Sequence, residues 1–171
     1  ETEKCLTNHS SSFPAWRPST GRPGRAPLNF GVITQGGESM IQSGSCLCGG
    51  VQYEVAGDLS DVYNCHCSMC RKLHAAAFRT CAKVRVDDWR TVRGQELLKT
   101  YESSPGEFKV FCANCGSSIH TKFDSKPEVY ALPLGTLDTD PGVRADRHVF
   151  VGSKAPWFEI TDDLPQFIEN D

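Results

Sequence analysis

Long apolar runs are missing from this chain of 171 residues. No stretch approaches the roughly 18 uninterrupted apolar residues that a membrane-spanning helix needs, so no membrane partner is expected. A strong charge of either sign is missing as well: 18 Lys and Arg stand against 21 Asp and Glu, for a formal net charge of −3 and a sequence pI near 6.0. A polyanion would find no broad basic footprint, and no nucleic-acid partner is expected. Heptads and internal repeats are absent, which sets aside coiled coils and solenoids. Helical patterning is confined to residues 68–77 with their Ala-Ala-Ala run. What remains is a chain of one-domain length, long enough to bury a core.

Cysteine, by contrast, is abundant, with nine residues. The odd count and the tight clustering as C-x-C, C-x-C-x-x-C and C-x-x-C argue against a secreted disulfide framework and for metal binding in a reducing, cytoplasmic setting. Seven residues carry that clustering: Cys46, Cys48, Cys65, Cys67, Cys70, Cys112 and Cys115. Cys5 lies apart near the start and reads as a thiol without a role. Cys81 reads as a strand thiol without a metal role.

Residues 1–43 differ from the rest, because Pro, Gly, Ser and Thr make up 19 of the 43 and the apolar residues show no period. That composition does not support a packed core. Met40 stands directly before the first organised segment, so residues 1–40 are expected to be a disordered or non-native N-terminal extension, with the domain over 41–168 and a polar tail at 169–171. Within the domain the pattern is period-2. Val51, Tyr53 and Val55 alternate with Gln52 and Glu54, and Phe78, Thr80, Ala82, Val84 and Val86 alternate with Arg79, Cys81, Lys83 and Arg85. Further short strands are expected over 96–102, 107–111, 117–123, 128–134 and 148–151, separated by Ser-Pro-Gly, Lys-Pro and Asp-Pro-Gly punctuation. The expected fold is therefore mainly β, antiparallel, with little helix.

Zinc takes a tetrahedral set of ligands, and pairs of thiolates one or two residues apart supply them well, since a tight turn points both sulfurs at one centre. Cys112-Ala-Asn-Cys115-Gly116 reads as such a knuckle, with the glycine free to take a positive φ. Cys46-Leu-Cys48-Gly49 offers the same chemistry, and pairing the two closes a four-cysteine site. Cys65-His-Cys67-Ser-Met-Cys70 then has only three thiolates, which leaves an open position of the kind that separates catalytic from structural metal. His66 and His74 are the nearby residues that would close it. His120 and His148 fall on expected strands and read as partly buried side chains.

The runs Gly44-Ser-Cys-Leu-Cys-Gly-Gly-Val51, Cys65-His-Cys-Ser-Met-Cys-Arg-Lys72, Phe111-Cys-Ala-Asn-Cys-Gly-Ser-Ser118 and His148-Val-Phe-Val-Gly-Ser-Lys-Ala-Pro-Trp157 resemble the glutathione-dependent formaldehyde-activating enzyme family, also called the centromere protein V family. The resemblance implies a zinc-stabilised β-tent with two zincs per chain and carbon–sulfur lyase activity on thiol–aldehyde adducts such as S-hydroxymethylglutathione. It also implies that Cys46, Cys48, Cys112 and Cys115 hold a structural zinc, while Cys65, Cys67 and Cys70 hold a catalytic one. His74-Ala75 departs from the His-Gly of many relatives.

An open three-thiolate zinc suits thiolate delivery better than water activation, because three negative charges weaken the metal as a Lewis acid. A hemithioacetal hydroxyl also needs a proton carrier, for which His66, His74 and Tyr63 are the candidates. Lys154 with Trp157 and Phe158 offers a ledge for a carboxylate-bearing thiol, against the plainer reading of a solvated lysine beside packed aromatics. Two rival readings stand beside the enzyme: a two-zinc module that binds a protein partner, and a redox or metal-handling protein. Thiol, aldehyde, reaction direction and oligomeric state are left open by the sequence.

Overall fold

The structure is a computed structural model that describes residues 41–170. The expectations placed on residues 1–40, including the extension, the Met40 start and Cys5, lie outside the described residues. Among the described residues ten strands form two sheets. A three-stranded antiparallel sheet is built from β1 (Gln42–Ser45), β2 (Gln52–Val55) and β5 (Trp89–Arg93). A seven-stranded sheet runs in the order β10 (His148–Val149), β3 (Ser60–Cys65), β4 (Arg79–Arg85), β9 (Val129–Pro133), β8 (Ser118–Phe123), β7 (Glu107–Cys112) and β6 (Leu98–Ser104). Its pairs are antiparallel except β10 on β3, which is parallel.

The mainly β expectation holds, with one α-helix among the described residues, α1 (Ser68–His74). It starts where Cys67, in extended conformation, caps it by accepting from Cys70 N at 3.3 Å. Its end comes three residues before the expected Ala77, because Ala75 takes a left-handed conformation (φ 48°) and donates its backbone N–H to Arg71. Intrinsic propensity favours continuing through the alanines; the turn back into β4 overrides it.

The alternation of β2 buries Val51, Tyr53 and Val55, and these pack with Ala82, Val84, Ile119 and Leu132 of the large sheet into the main core. Tyr53 stacks on Trp89 at 4.2 Å between ring centroids, a contact worth about 0.5–1.5 kcal/mol beyond its buried area. β4 departs from a half-buried strand. Ala82 and Val84 face the core, but Arg79 and Cys81 on the other face are buried too, because α1 packs over that face. Three strands escaped the periodicity reading, β1, β3 and β5. A 3-10 turn at Val86–Asp88 ends β4 and redirects the chain into β5.

Candidate metal centres

Two loops that end neighbouring parts of the fold meet at the first cysteine group. Cys46 and Cys48 occupy the turn between β1 and β2, while Cys112 ends β7 and Cys115 lies in the turn from it to β8. Gly49 (φ +68°) and Gly116 (φ +77°) take the left-handed conformations that let both turns close. Gly49 N donates to Cys46 O and Gly116 N to Cys112 O, both at 2.8 Å. The Ser117 hydroxyl joins the loops, accepting from Leu47 N at 3.0 Å and lying 3.3 Å from Cys115 Sγ. All four sulfurs lie within 4.8 Å of one another. Cys46 and Cys48 are 3.4 Å apart, and Cys48 and Cys112 4.0 Å, bracketing the roughly 3.8 Å between sulfurs of a tetrahedral zinc with bonds of about 2.3 Å. Burial pushes the Cys46 thiol up to about 11, while the Asn114 side chain holds Cys48 below its usual range.

The second group is local. Cys65 ends β3, Cys67 caps α1 and Cys70 sits in its first turn, so six residues of chain bring three sulfurs within 4.8 Å of one another. Cys65 and Cys70 are buried and Cys67 is half-buried. Cys65 and Cys70 beside the Cys67 sulfur pull its pKa far down, and the same crowding pushes Cys65 far up. Among the described residues all eight cysteines are free of disulfides. Among the described residues no further histidine, cysteine or carboxylate joins the three sulfurs. Both sets are soft, closely spaced and unpaired by disulfides, which fits a thiophilic metal ion.

The family described as glutathione-dependent formaldehyde-activating enzyme matches residues 41–153. The chain belongs to this family. A Halomonas elongata protein, provisionally named as a glutathione-dependent formaldehyde-activating enzyme, is 31% identical over 130 residues, covering 71% of this chain and 82% of its own. A Schizosaccharomyces pombe protein named an uncharacterised lyase is 20% identical over 124 residues, covering 72% and 88%. The crystal structure of a Rhodobacter sphaeroides protein, 34% identical, covers 60% of this chain and 90% of its own at a TM-score of 0.49.

Within this formaldehyde-activating enzyme fold the three proton-carrier candidates are differently placed. His66 is fully buried between Phe78, Phe158 and His148. Its Nε2 lies 2.7 Å from His148 Nδ1, and its Nδ1 has no partner. Burial, and then the charges of His148 and Lys154, lower its pKa to about 4. Tyr63 packs against Cys65 and Cys70, and burial pushes its phenol far above the ordinary range. His74 joins neither sulfur cluster, and it lines a cavity of about 440 Å³ together with Phe78, Thr80, Cys115 and Thr136. Burial lowers its pKa to about 4.

Sequence reasoning missed three residues around the second group. His148, read as a partly buried strand residue, is 2% exposed and links His66 to Asp162, whose carboxylate oxygens lie 3.1 and 3.2 Å from His148 Nε2. Asp162 itself carried no periodic signal. Arg79 was assigned to the face opposite the apolar run, and it is buried there. His120 also differs from the expected partial burial, being 3% exposed and stacked on Tyr130. Lys154 is not a solvated lysine, since its Nζ donates to the Ala155 and Phe158 carbonyls. Phe158 packs on Phe78, and Trp157 remains 70% exposed. No helix among the described residues is long and apolar enough to cross a membrane.

Proposed function

We propose that this protein is a zinc-dependent carbon–sulfur lyase acting on thiol–aldehyde adducts of the S-hydroxymethylglutathione type. In this reading the four-cysteine centre is structural and the three-cysteine centre catalytic, in a cytoplasmic setting. The observation that carries the reading is the inequality of the two groups. Four sulfurs can fill a tetrahedron among themselves, and three leave one position for a substrate thiol. Membership of the family and the lyase name of a relative point the same way.

Bound zinc would supply Lewis acidity and a position for a thiolate. The remaining chemistry falls to the chain. Cleaving a hemithioacetal breaks the C–S bond with its electron pair going to sulfur, while the hydroxyl proton leaves and a C=O bond forms. His66 Nδ1 is assigned as the proton acceptor. A carboxylate only accepts, so Asp162 takes a hydrogen bond from His148 Nε2–H, and His148 Nδ1 then accepts from His66 Nε2–H. That order leaves the lone pair of His66 on Nδ1, the atom without a partner. Its low pKa keeps the ring neutral at pH 7. Tyr63 holds its proton and serves to pack the sulfurs, not to titrate.

The reading is tested by following hemithioacetal absorbance for formaldehyde paired with glutathione, cysteine and 2-mercaptoethanol, with the zinc-loaded protein and with its Cys67→Ser variant. Accelerated approach to equilibrium for at least one pair, lost in the variant, is the expected result. No acceleration for any pair, together with a protein side chain found as fourth ligand, would hand the site to the protein-interaction reading.

A further inference from the structure

Arg79 is a buried cation without a carboxylate. It is 5% exposed, and its terminal nitrogens reach two neutral oxygens, the Thr121 hydroxyl at 3.3 Å and the Ala131 carbonyl at 2.7 Å, with the Cys70 side chain as a further partner. Its Nε has no partner. No ion pair among the described residues includes it. Neutral acceptors satisfy hydrogen bonds but leave the charge uncompensated, and an isolated buried ion is among the costliest things a fold can hold. A lysine with no anion beside it would shed its proton in such a place; arginine does not. A counter-charge is therefore required nearby.

The neighbours that meet this need are sulfurs. Arg79 is the cross-strand partner of Cys65 in the β3–β4 ladder, which puts the two side chains on one face with Cβ atoms roughly 5 Å apart. α1 packs over the same face and carries Cys70. Cys81, Cys70 and Tyr63 lie around the guanidinium. A tyrosine phenol is ordinarily neutral at pH 7, and Cys81 belongs to neither sulfur group. The three-cysteine centre is the remaining source of negative charge.

We propose that Arg79 is the counter-ion of the three-cysteine centre, a positioning residue whose permanent charge balances a divalent metal held by three thiolates. The proposal rests on the reading of Cys65, Cys67 and Cys70 as metal ligands. Three thiolates and one divalent cation carry a net charge of minus one, and the guanidinium brings the assembly to neutrality. A substrate thiolate then approaches a neutral assembly instead of an anion. Arg79 thus sets both how firmly the second metal is held and how readily a fourth sulfur joins it.

The test is chelator competition on the full chain loaded with zinc or cobalt. Arg79→Met should weaken the second site by about 10–100-fold, the range seen when groups supporting metal ligands are removed, and leave the four-cysteine site unchanged. Arg79→Lys, which keeps a charge, should recover most of the loss. On the cobalt protein, 2-mercaptoethanol should perturb the second-site spectrum at higher concentration in Arg79→Met than in the wild type. A wild-type protein that binds only one metal would remove the metal reading and this proposal with it. Two metals in the wild type, with the second held equally well in Arg79→Met, would remove the counter-ion role alone. If Arg79→Met is too unstable to titrate, the substitution goes into a background with Cys65, Cys67 and Cys70 replaced by serine. There the charge has no partner, so Arg79→Met should raise the Tm, while in the metal-loaded wild type it should lower it. The same sign in both backgrounds would assign Arg79 to packing only.

Discussion

The two cysteine groups contrast in how much of the chain each one ties together. The four-sulfur group draws its ligands from the β1–β2 and β7–β8 turns, separated by more than sixty residues, and so joins the small sheet to the large one. The three-sulfur group is confined to the corner between β3 and α1, and is flanked by a chain that runs from buried His66 and His148 out to exposed Asp162, and by a buried arginine. On the proposed reading, similar chemistry has two uses. A ligand set that bridges distant segments converts metal affinity into folding free energy, whereas a local set on an already folded corner can exchange a ligand without unfolding the domain.

Cysteine substitutions offer the strongest way to break that comparison. Structural zinc contributes about 10–16 kcal/mol in small zinc-binding peptides, more than or comparable to the roughly 5–15 kcal/mol that holds a domain folded. Cys112→Ser should therefore abolish the cooperative thermal transition along with its metal. Cys67→Ser should lose one metal equivalent and lyase turnover but keep a Tm within a few degrees of wild type. A folded Cys112→Ser protein by near-ultraviolet circular dichroism would erase the distinction.

The next largest effect is expected on the proton chain. Asp162→Asn can no longer hold His148 in one tautomer, and turnover should fall about 10–100-fold, part of the effect of a full general base, with little change in Tm. In the wild type the acid limb of the pH–rate profile should lie near His66's pKa of about 4, since protonation there removes the acceptor. An acid limb near 6.5 would point to an ordinary solvated histidine instead.

Away from the second centre, His120 sharpens the contrast from the stability side. It lies between Trp89 and Tyr130 with neither ring nitrogen hydrogen-bonded, and burial, followed by the charges of Lys122 and Arg79, lowers its pKa to about 3. Its unfolded form binds a proton first, so stability is lost as pH falls from about 6.5 toward 3. His120→Phe should remove that component and stabilise the fold at pH 7 by about 1 kcal/mol, because an unsatisfied buried polar group is replaced. Thermal melts at pH 7 and pH 5 check both points, and turnover should be unaffected. The smallest effect concerns Ala75 at φ 48°. Ala75→Gly relieves that conformation and should add about 0.5–1 kcal/mol by urea denaturation.

What the sequence made legible follows from range. The faces of β2 and β4, the start of α1 and the three cysteine clusters are set by spacing within a few residues. β3 was missed because its buried face carries the polar Asn64 beside Val62, so the alternation in burial has no counterpart in hydrophobicity. β5 was missed because a 3-10 turn breaks the run from β4 before a new one begins. Arg79 and Cys81 read as an outer face because the sequence does not announce that α1 will cover it. The His66–His148–Asp162 chain links residues far apart in sequence through β10 on β3, and no local pattern encodes such a contact. The His-Ala departure at residues 74–75 falls at the helix C-cap, where the left-handed backbone explains a preference for glycine.

The central claim is that the two centres differ in having a position open to a substrate sulfur, and cobalt substitution addresses it most directly. With both sites filled by cobalt, added glutathione should alter the visible d–d and thiolate charge-transfer bands of one site only, and Cys67→Ser should abolish the response while the remaining site keeps its spectrum. Bands unchanged at saturating glutathione, cysteine and 2-mercaptoethanol, or bands that shift equally at both sites, would contradict the account.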